Sequence, residues 1–190
     1  MAILGTLLKN KRAGETGLAW NQPTLAGPQT LTLTSADFVH GGALAPAQAG
    51  RKAGGGNVSP ALAWTGAPEG TGQLLLVIQD VDSPTSAPFV HCVALLEPGL
   101  TALPGGALNA DSPAEGVRLL RSGMGRGYLG PEPIKGHGQH RYVFQLFALP
   151  AAMTRAAGGA ALDSARPKAV LEGVGGPSLA RGRLDGVYER

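Results

Sequence analysis

The chain has one cysteine, Cys92, in 190 residues. It can therefore form no internal disulfide, and no zinc site can be built from several thiolates. Charge is also sparse. Only 15% of residues are Asp, Glu, Lys or Arg, and the net charge of +3 comes from 16 basic against 13 acidic groups. A nucleic-acid binder needs its basic residues clustered so that they displace counterions from phosphates. The one tight group is Lys9-Asn10-Lys11-Arg12, which reads as a solvated basic helix end, so no nucleic-acid partner is expected. Long apolar runs are missing as well. No segment approaches the ~20 residues of a membrane span, and stable membrane insertion is not expected. The first eight residues are apolar but short, and their charges follow them instead of preceding them, which is not the arrangement of a secretory signal. A reducing cytoplasm fits these features.

Glycine and proline are abundant, at 30 and 15 residues, while 43% of the chain is apolar. That hydrophobicity excludes disorder for the bulk of the chain. So many helix breakers exclude a helical bundle, and a mostly-β domain of short strands joined by turns accommodates them. Residues 1–29 read as an N-terminal extension, in which Ile3, Leu4, Leu7 and Leu8 have the spacing of a short amphipathic helix packed on the body. Residues 30–190 form the main domain. Its β signal begins at Leu31-Thr32-Leu33-Thr34. Residues 41–56, rich in Gly and Ala, read as a flexible surface loop. Leu74–Ile78, Phe89–Leu96 and Tyr142–Phe147 are continuous apolar runs, as expected of strands buried on both faces. Asp163 or Ser164 could cap a helix that has Pro167 in its first turn and ends at Gly173. Leu184–Tyr188 reads as a last short strand. There is no internal repeat.

The residues able to do chemistry stand at strand ends. Asp80 and Asp82 follow a buried run and, two apart on an extended chain, point to one face; Pro84 then stops the ladder. His91 interrupts an apolar strand and His140 begins another. Singly, each reads as a turn former or a satisfied core residue; jointly, they are placed to converge. Other signals point elsewhere. Gly125–Gly130 matches G-x-G-x-x-G, but Pro131 and Pro133 leave no helix to receive a pyrophosphate. His137 and His140 would chelate a metal only on a helix, which the flanking glycines oppose, so His137 reads as a loop residue facing water. His91 and Cys92 are adjacent on a strand, so alternation sets them on opposite faces and they cannot act as base and nucleophile. Cys92 reads as a small core residue. No metal and no cofactor are expected.

Four blocks resemble the phosphatidylethanolamine-binding proteins, also called Raf kinase inhibitor-like proteins, and most of all their bacterial branch. Asp80-Val81-Asp82-Ser83-Pro84-Thr85 is similar to that family's Asp-x-Asp-x-Pro motif. Asn57–Trp64 resembles its strand with a Ser-Pro and a Trp, and Pro68–Thr71 the turn that follows. Gly130–Gly136 with His140-Arg141-Tyr142 resembles its Gly-Pro loop and His-Arg-Tyr strand start. The order and spacing agree across roughly residues 30–190.

This resemblance implies an antiparallel β-sandwich with a few peripheral helices and a small anion pocket. The pocket residues it carries over are Asp80, Asp82, Pro84, His91, His140 and Tyr142, with Gly130 and Pro131 in a rim loop. The expected ligand is phosphate or a phosphorylated headgroup held between His91 and His140, with a carboxylate orienting the imidazoles. No catalytic residue is expected. A weak phosphoester or ester hydrolase using the same pocket, and a protein-interaction regulator with a vestigial pocket, are the alternatives; a homodimer is left open. The chain departs from the family pattern at Val90, where an aromatic residue is frequent, at Glu132 and Ile134 in the rim loop, and in the Val174–Ser178 link.

Overall fold

The computed structural model describes residues 3–190; of Leu4, counted above in the amphipathic spacing, the side chain lies outside the described part. The chain forms helix α1 (Ile3–Leu8), strands β1 (Thr32–Thr34), β2 (Gly42–Ala43), β3 (Leu62–Thr65), β4 (Gln73–Asp80), β5 (Phe89–Leu96), β6 (Ala102–Leu103), β7 (Val117–Leu119) and β8 (His140–Leu149), helix α2 (Pro167–Glu172) and strand β9 (Ala180–Tyr188). The strands make a three-stranded sheet, β1-β3-β6, and a six-stranded sheet, β2-β9-β8-β4-β5-β7. All pairings are antiparallel except β2 with β9.

The three apolar runs fall on the central strands of the larger sheet because both of its faces are covered. Leu74, Leu76 and Ile78 pack with Ala94, Phe144 and Leu146 against Leu33, Leu62 and Trp64 of the smaller sheet. On the other face, Leu75, Val77, Val93, Leu95 and Phe147 are covered by Ala19 and Leu25 from the N-terminal segment and by Leu162, Val170 and Leu171 from the region of α2. This is the expected mostly-β sandwich, with a third layer of irregular chain on its back.

Two buried glutamines pin that layer in place. Gln79 and Gln145 stand side by side on β4 and β8, and Gln145 Nε2 donates to Gln79 Oε1 at 3.0 Å. Their carbonyl oxygens accept the backbone N–H of Ala19 at 2.8 Å and of Trp20 at 2.7 Å, and Gln79 Nε2 donates to Gly17 O. Buried amides need such partners, so sheet and segment satisfy each other.

Several local expectations are corrected. Helix α1 meets the body through Gly5, where a Cβ would collide with Lys135 O and the His137 backbone, while Ile3 and Leu7 are both 76% exposed. Six residues are too few to lay an apolar stripe on a neighbour. Residues 41–56 are no loose loop: they contain β2 and two 3₁₀ turns, bury Leu44, Gln48 and Ala49, and pack on the Pro131 segment through the Gly50 N–H to Pro131 O bond. Arg166, and neither Asp163 nor Ser164, precedes α2, with no side-chain cap; Asp163 instead takes a two-pronged bond from Arg118. The last strand is longer than Leu184–Tyr188, because its exposed-looking Arg181 and Arg183 still pair across to Phe147 and Gln145.

Candidate functional site

A hollow of about 570 Å³ opens where β4, β5 and β8 end. Asp80 closes β4 opposite Tyr142 of β8 on one side and Phe89 of β5 on the other. The register places Asp80, Tyr142 and His140 on one face, two residues of strand apart. His91 reaches that face by a different route. Ile78 pairs with Cys92 and Gln79 with Val90, so His91 is the extra residue of a β-bulge. A bulge breaks the alternation of side chains; His91 lines the hollow, and Cys92 packs in the core on the same face. The expected opposition of the two is thus corrected, although Cys92 remains a core residue, with burial pushing its thiol up to about 12.

His140, 2% exposed, is held on both nitrogens. Its Nδ1 lies 2.7 Å from Asp80 Oδ2 and its Nε2 lies 2.6 Å from Nδ1 of His137. His137 in turn faces the Leu8 carbonyl through Nε2 at 2.8 Å and the Lys11 carbonyl at 3.2 Å. His137 is only 1% exposed, so the expectation of a water-facing loop residue is corrected. It is buried because residues 3–12 fold over it.

Both nitrogens of His140 are thus occupied by protein partners, one by the Asp80 carboxylate and the other by His137, which leaves the ring no free nitrogen for a ligand.

The opposite wall differs. His91 is 5% exposed and its Nδ1 donates to Leu129 O, leaving Nε2 without a protein partner among the described residues. Burial holds its pKa below the ordinary value, and the Asp80 charge opposes that only in part. Burial thus favours the neutral His91 ring, and with its hydrogen on Nδ1 the Nε2 atom carries a lone pair. Beside it, edge-on at 5.0 Å, stands the Tyr142 ring, whose hydroxyl is buried with no partner. Phe89 braces the far side of His91 at 5.0 Å.

The remaining sequence candidates separate. Pro84 and Gly130 line the hollow. Gly130 N donates at 2.7 Å to Oδ1 of Asn57, which adopts a left-handed φ of 56°, and a Cβ on Gly130 would strike Gln48 O. Pro131 is buried beneath the rim and serves through its carbonyl. Asp82 is outside the lining: its Oδ2 accepts Arg141 N at 2.8 Å, and its Oδ1 pairs with Arg12 at 2.8 Å. Arg12, read as part of a solvated basic end, thus ties the N-terminal segment to the Asp-x-Asp turn. Asp80 Oδ1 accepts Asp82 N at 2.8 Å, which shapes that turn. Glu132 is exposed at the rim, with Oε1 accepting Lys52 N at 2.9 Å.

The profile of the phosphatidylethanolamine-binding protein family matches residues 34–189. The chain belongs to the phosphatidylethanolamine-binding protein family. Its fold is similar to that of Escherichia coli YbcL, a solved member, with a TM-score of 0.73 at 27% identity over 85% of this chain and 99% of that one. Its sequence is 32% identical over 161 residues to LppC, a candidate lipoprotein of Mycobacterium tuberculosis, covering 85% of this chain and 73% of LppC. A UPF0098 protein of Aquifex aeolicus is 33% identical over 141 residues, covering 72% and 77%. No helix among the described residues is long and apolar enough to cross a membrane.

Sequence reasoning missed Phe89 and Met124 in the lining and His137, which supports the site from behind His140. The signal for His137 was the three-residue spacing to His140, set aside because neighbouring glycines excluded a helix. The two imidazoles meet instead across a turn.

Proposed function

We propose that this member of the family binds a small oxyanion, phosphate or a phosphorylated headgroup, in the hollow between His91 and Tyr142, and that it catalyses nothing there. The observation that carries this reading is the buried Tyr142 hydroxyl, which has no partner, beside a His91 ring whose only described bond is from Nδ1 to Leu129 O. Leaving a buried polar group unsatisfied costs about 1–3 kcal/mol, so a ligand that satisfies the Tyr142 hydroxyl gains from it. His140 is then a supporting wall and not a direct donor, because both its nitrogens are occupied. The oxyanion accepts from the Tyr142 hydroxyl and brings a proton to His91 Nε2, forming a charge-assisted bond. Nothing beside it is poised as a nucleophile: Ser83 Oγ is bonded to Asp80 O and Thr85, and Cys92 is sealed in the core.

Titration with inorganic phosphate and with phosphoethanolamine, followed by ¹⁵N shifts of the histidine ring nitrogens, tests this. Nε2 of His91 is expected to move from the range of a bare nitrogen to that of a protonated one, while the His140 signals stay nearly fixed. A titration that leaves His91 unmoved at millimolar ligand removes the proposal. A cytoplasmic location is part of the proposal, and its support is the single cysteine, Cys92. Cell fractionation checks this, and the likeness to a candidate lipoprotein makes a membrane-attached fraction the opposing outcome.

A further inference from the structure

On the back of the larger sheet, away from the hollow, a second cleft of about 500 Å³ is lined by Trp20, Gln29, Leu31, His40, Arg141, Arg181, Gly182, Arg183 and Asp185. Its charges do not balance. Arg183 makes a two-pronged bond to Asp185, with Nε to Oδ1 at 2.7 Å and Nη2 to Oδ2 at 2.8 Å, and also reaches Glu15. Arg141 Nη2 pairs with Glu15 at 2.7 Å. Both carboxylates are thereby used. Arg181 makes no ion pair: its Nη1 donates to Trp20 O at 2.7 Å, its guanidinium carbon stacks 4.1 Å from the Trp20 ring centre, and its Nε is buried without an acceptor. Nη2 has no partner among the described residues. Three guanidinium groups against two carboxylates leave one positive charge facing the cleft.

Arg181 and Arg183 are two apart on the same face of β9, yet their surroundings act in opposite directions. The bonds to Asp185 raise the pKa of Arg183, whereas burial with no countercharge lowers that of Arg181. A second donor is fixed nearby: Asp185 N donates to His40 Nδ1 at 3.3 Å, so the neutral ring carries its hydrogen on Nε2. His40 is exposed.

We infer that this cleft is a second binding site, for the oxyanion of a small phosphate or carboxylate, held by Arg181 and His40 over the face of Trp20. A planar guanidinium with free N–H groups matches such an oxyanion, and stacking on Trp20 presets its orientation. Arg141 adds positive potential from the rim. Glu15, Trp20 and Gln29 come from residues that precede the family match at 34–189, so the site depends on the N-terminal segment that the paired glutamines dock. It stands on the other side of β8 from the hollow: Arg141 lines the cleft, whereas its neighbours His140 and Tyr142 line the hollow.

The test is ¹⁹F NMR of full-length protein labelled with 5-fluorotryptophan, which separates Trp20 from the core residue Trp64, with ¹⁵N histidine shifts in parallel. Inorganic phosphate and acetate are titrated separately at constant ionic strength. A saturable shift of Trp20 and His40 with either probe supports the site, and the probe that saturates at lower concentration identifies the source. Arg181→Gln is expected to weaken that response about tenfold, in line with a charge-assisted bond, and to leave the His91 response in place. His40→Gln, at an exposed position, is expected to weaken it about threefold without perturbing the fold. If neither probe moves Trp20 saturably, or if the response survives intact in both variants, the inference is overturned, whatever His91 does.

Discussion

The two histidines that line the hollow have opposite wiring. On the β8 side, His140 is saturated: Asp80 takes one nitrogen, His137 the other, and the relay ends on the Leu8 and Lys11 carbonyls. On the β5 side, His91 has a single backbone partner and stands beside a tyrosine hydroxyl with none. The contrast teaches that an ionisable residue in a pocket is not thereby a ligand contact. The more heavily bonded wall holds the N-terminal segment to the body, and the under-bonded wall is the one the proposed ligand would use.

The largest effect should come from cutting the saturated wall. His140→Ala leaves the Asp80 carboxylate and His137 each buried without its His140 partner, and breaking a buried ion pair costs about 3–5 kcal/mol. Urea unfolding is expected to show a loss of that size, with amide exchange rising first over residues 8–14. A loss below about 1 kcal/mol would mean the relay contributes no more than an exposed ion pair.

Tyr142→Phe sharpens the contrast from the other wall. Removing an unsatisfied hydroxyl leaves stability unchanged or raises it by about 1 kcal/mol. Phosphate affinity falls by roughly five- to tenfold, the worth of one hydrogen bond of about 1–1.5 kcal/mol. Thermal melting and calorimetric titration on one preparation read both. Equal losses in stability and binding would erase the distinction between the walls.

The pH dependence follows from His91. Its pKa is lowered by burial from an unfolded value of 6.5, so below that pH the unfolded chain binds the proton that the folded chain excludes. The His91 contribution is fully present above pH 6.5 and is lost as pH falls toward the folded pKa. Wild type should lose more stability than His91→Gln between pH 7 and 5. Added phosphate should offset that loss, since a bound oxyanion favours protonated His91. Phosphate affinity itself rises as pH falls, provided the phosphate charge is held in account.

The smallest effect is expected at the rim. Glu132 is exposed and bonded to Lys52 N, so Glu132→Gln should change stability by less than about 0.5 kcal/mol and strengthen phosphate binding by about twofold through the removed charge.

Much of this was legible in the chain. Leu74–Ile78, Phe89–Leu96 and Tyr142–Phe147 mark the central strands because a strand covered on both faces cannot afford polar positions. Asp80 and His140 were legible as partners-in-waiting at strand ends. The wiring was not. His137 looked exposed because its neighbours are glycines, and nothing local shows that residues 3–12 return across it. Asp82 looked like a pocket ligand because it is two residues from Asp80, but Arg12, 70 residues upstream by number, draws it outward.

Composition and periodicity, which sum over many residues, determined by themselves that this chain builds a mostly-β domain and that acidic and imidazole groups stand at its strand ends; the sandwich was implied by the family resemblance. Only the tertiary structure decided which groups keep a free atom. One inserted residue in the β4–β5 ladder turns His91 into the hollow, and a segment more than a hundred residues away closes off His137. Register and long-range hydrogen bonds are set by the whole packed molecule, because a side chain's direction and its partners depend on atoms that sequence proximity does not specify.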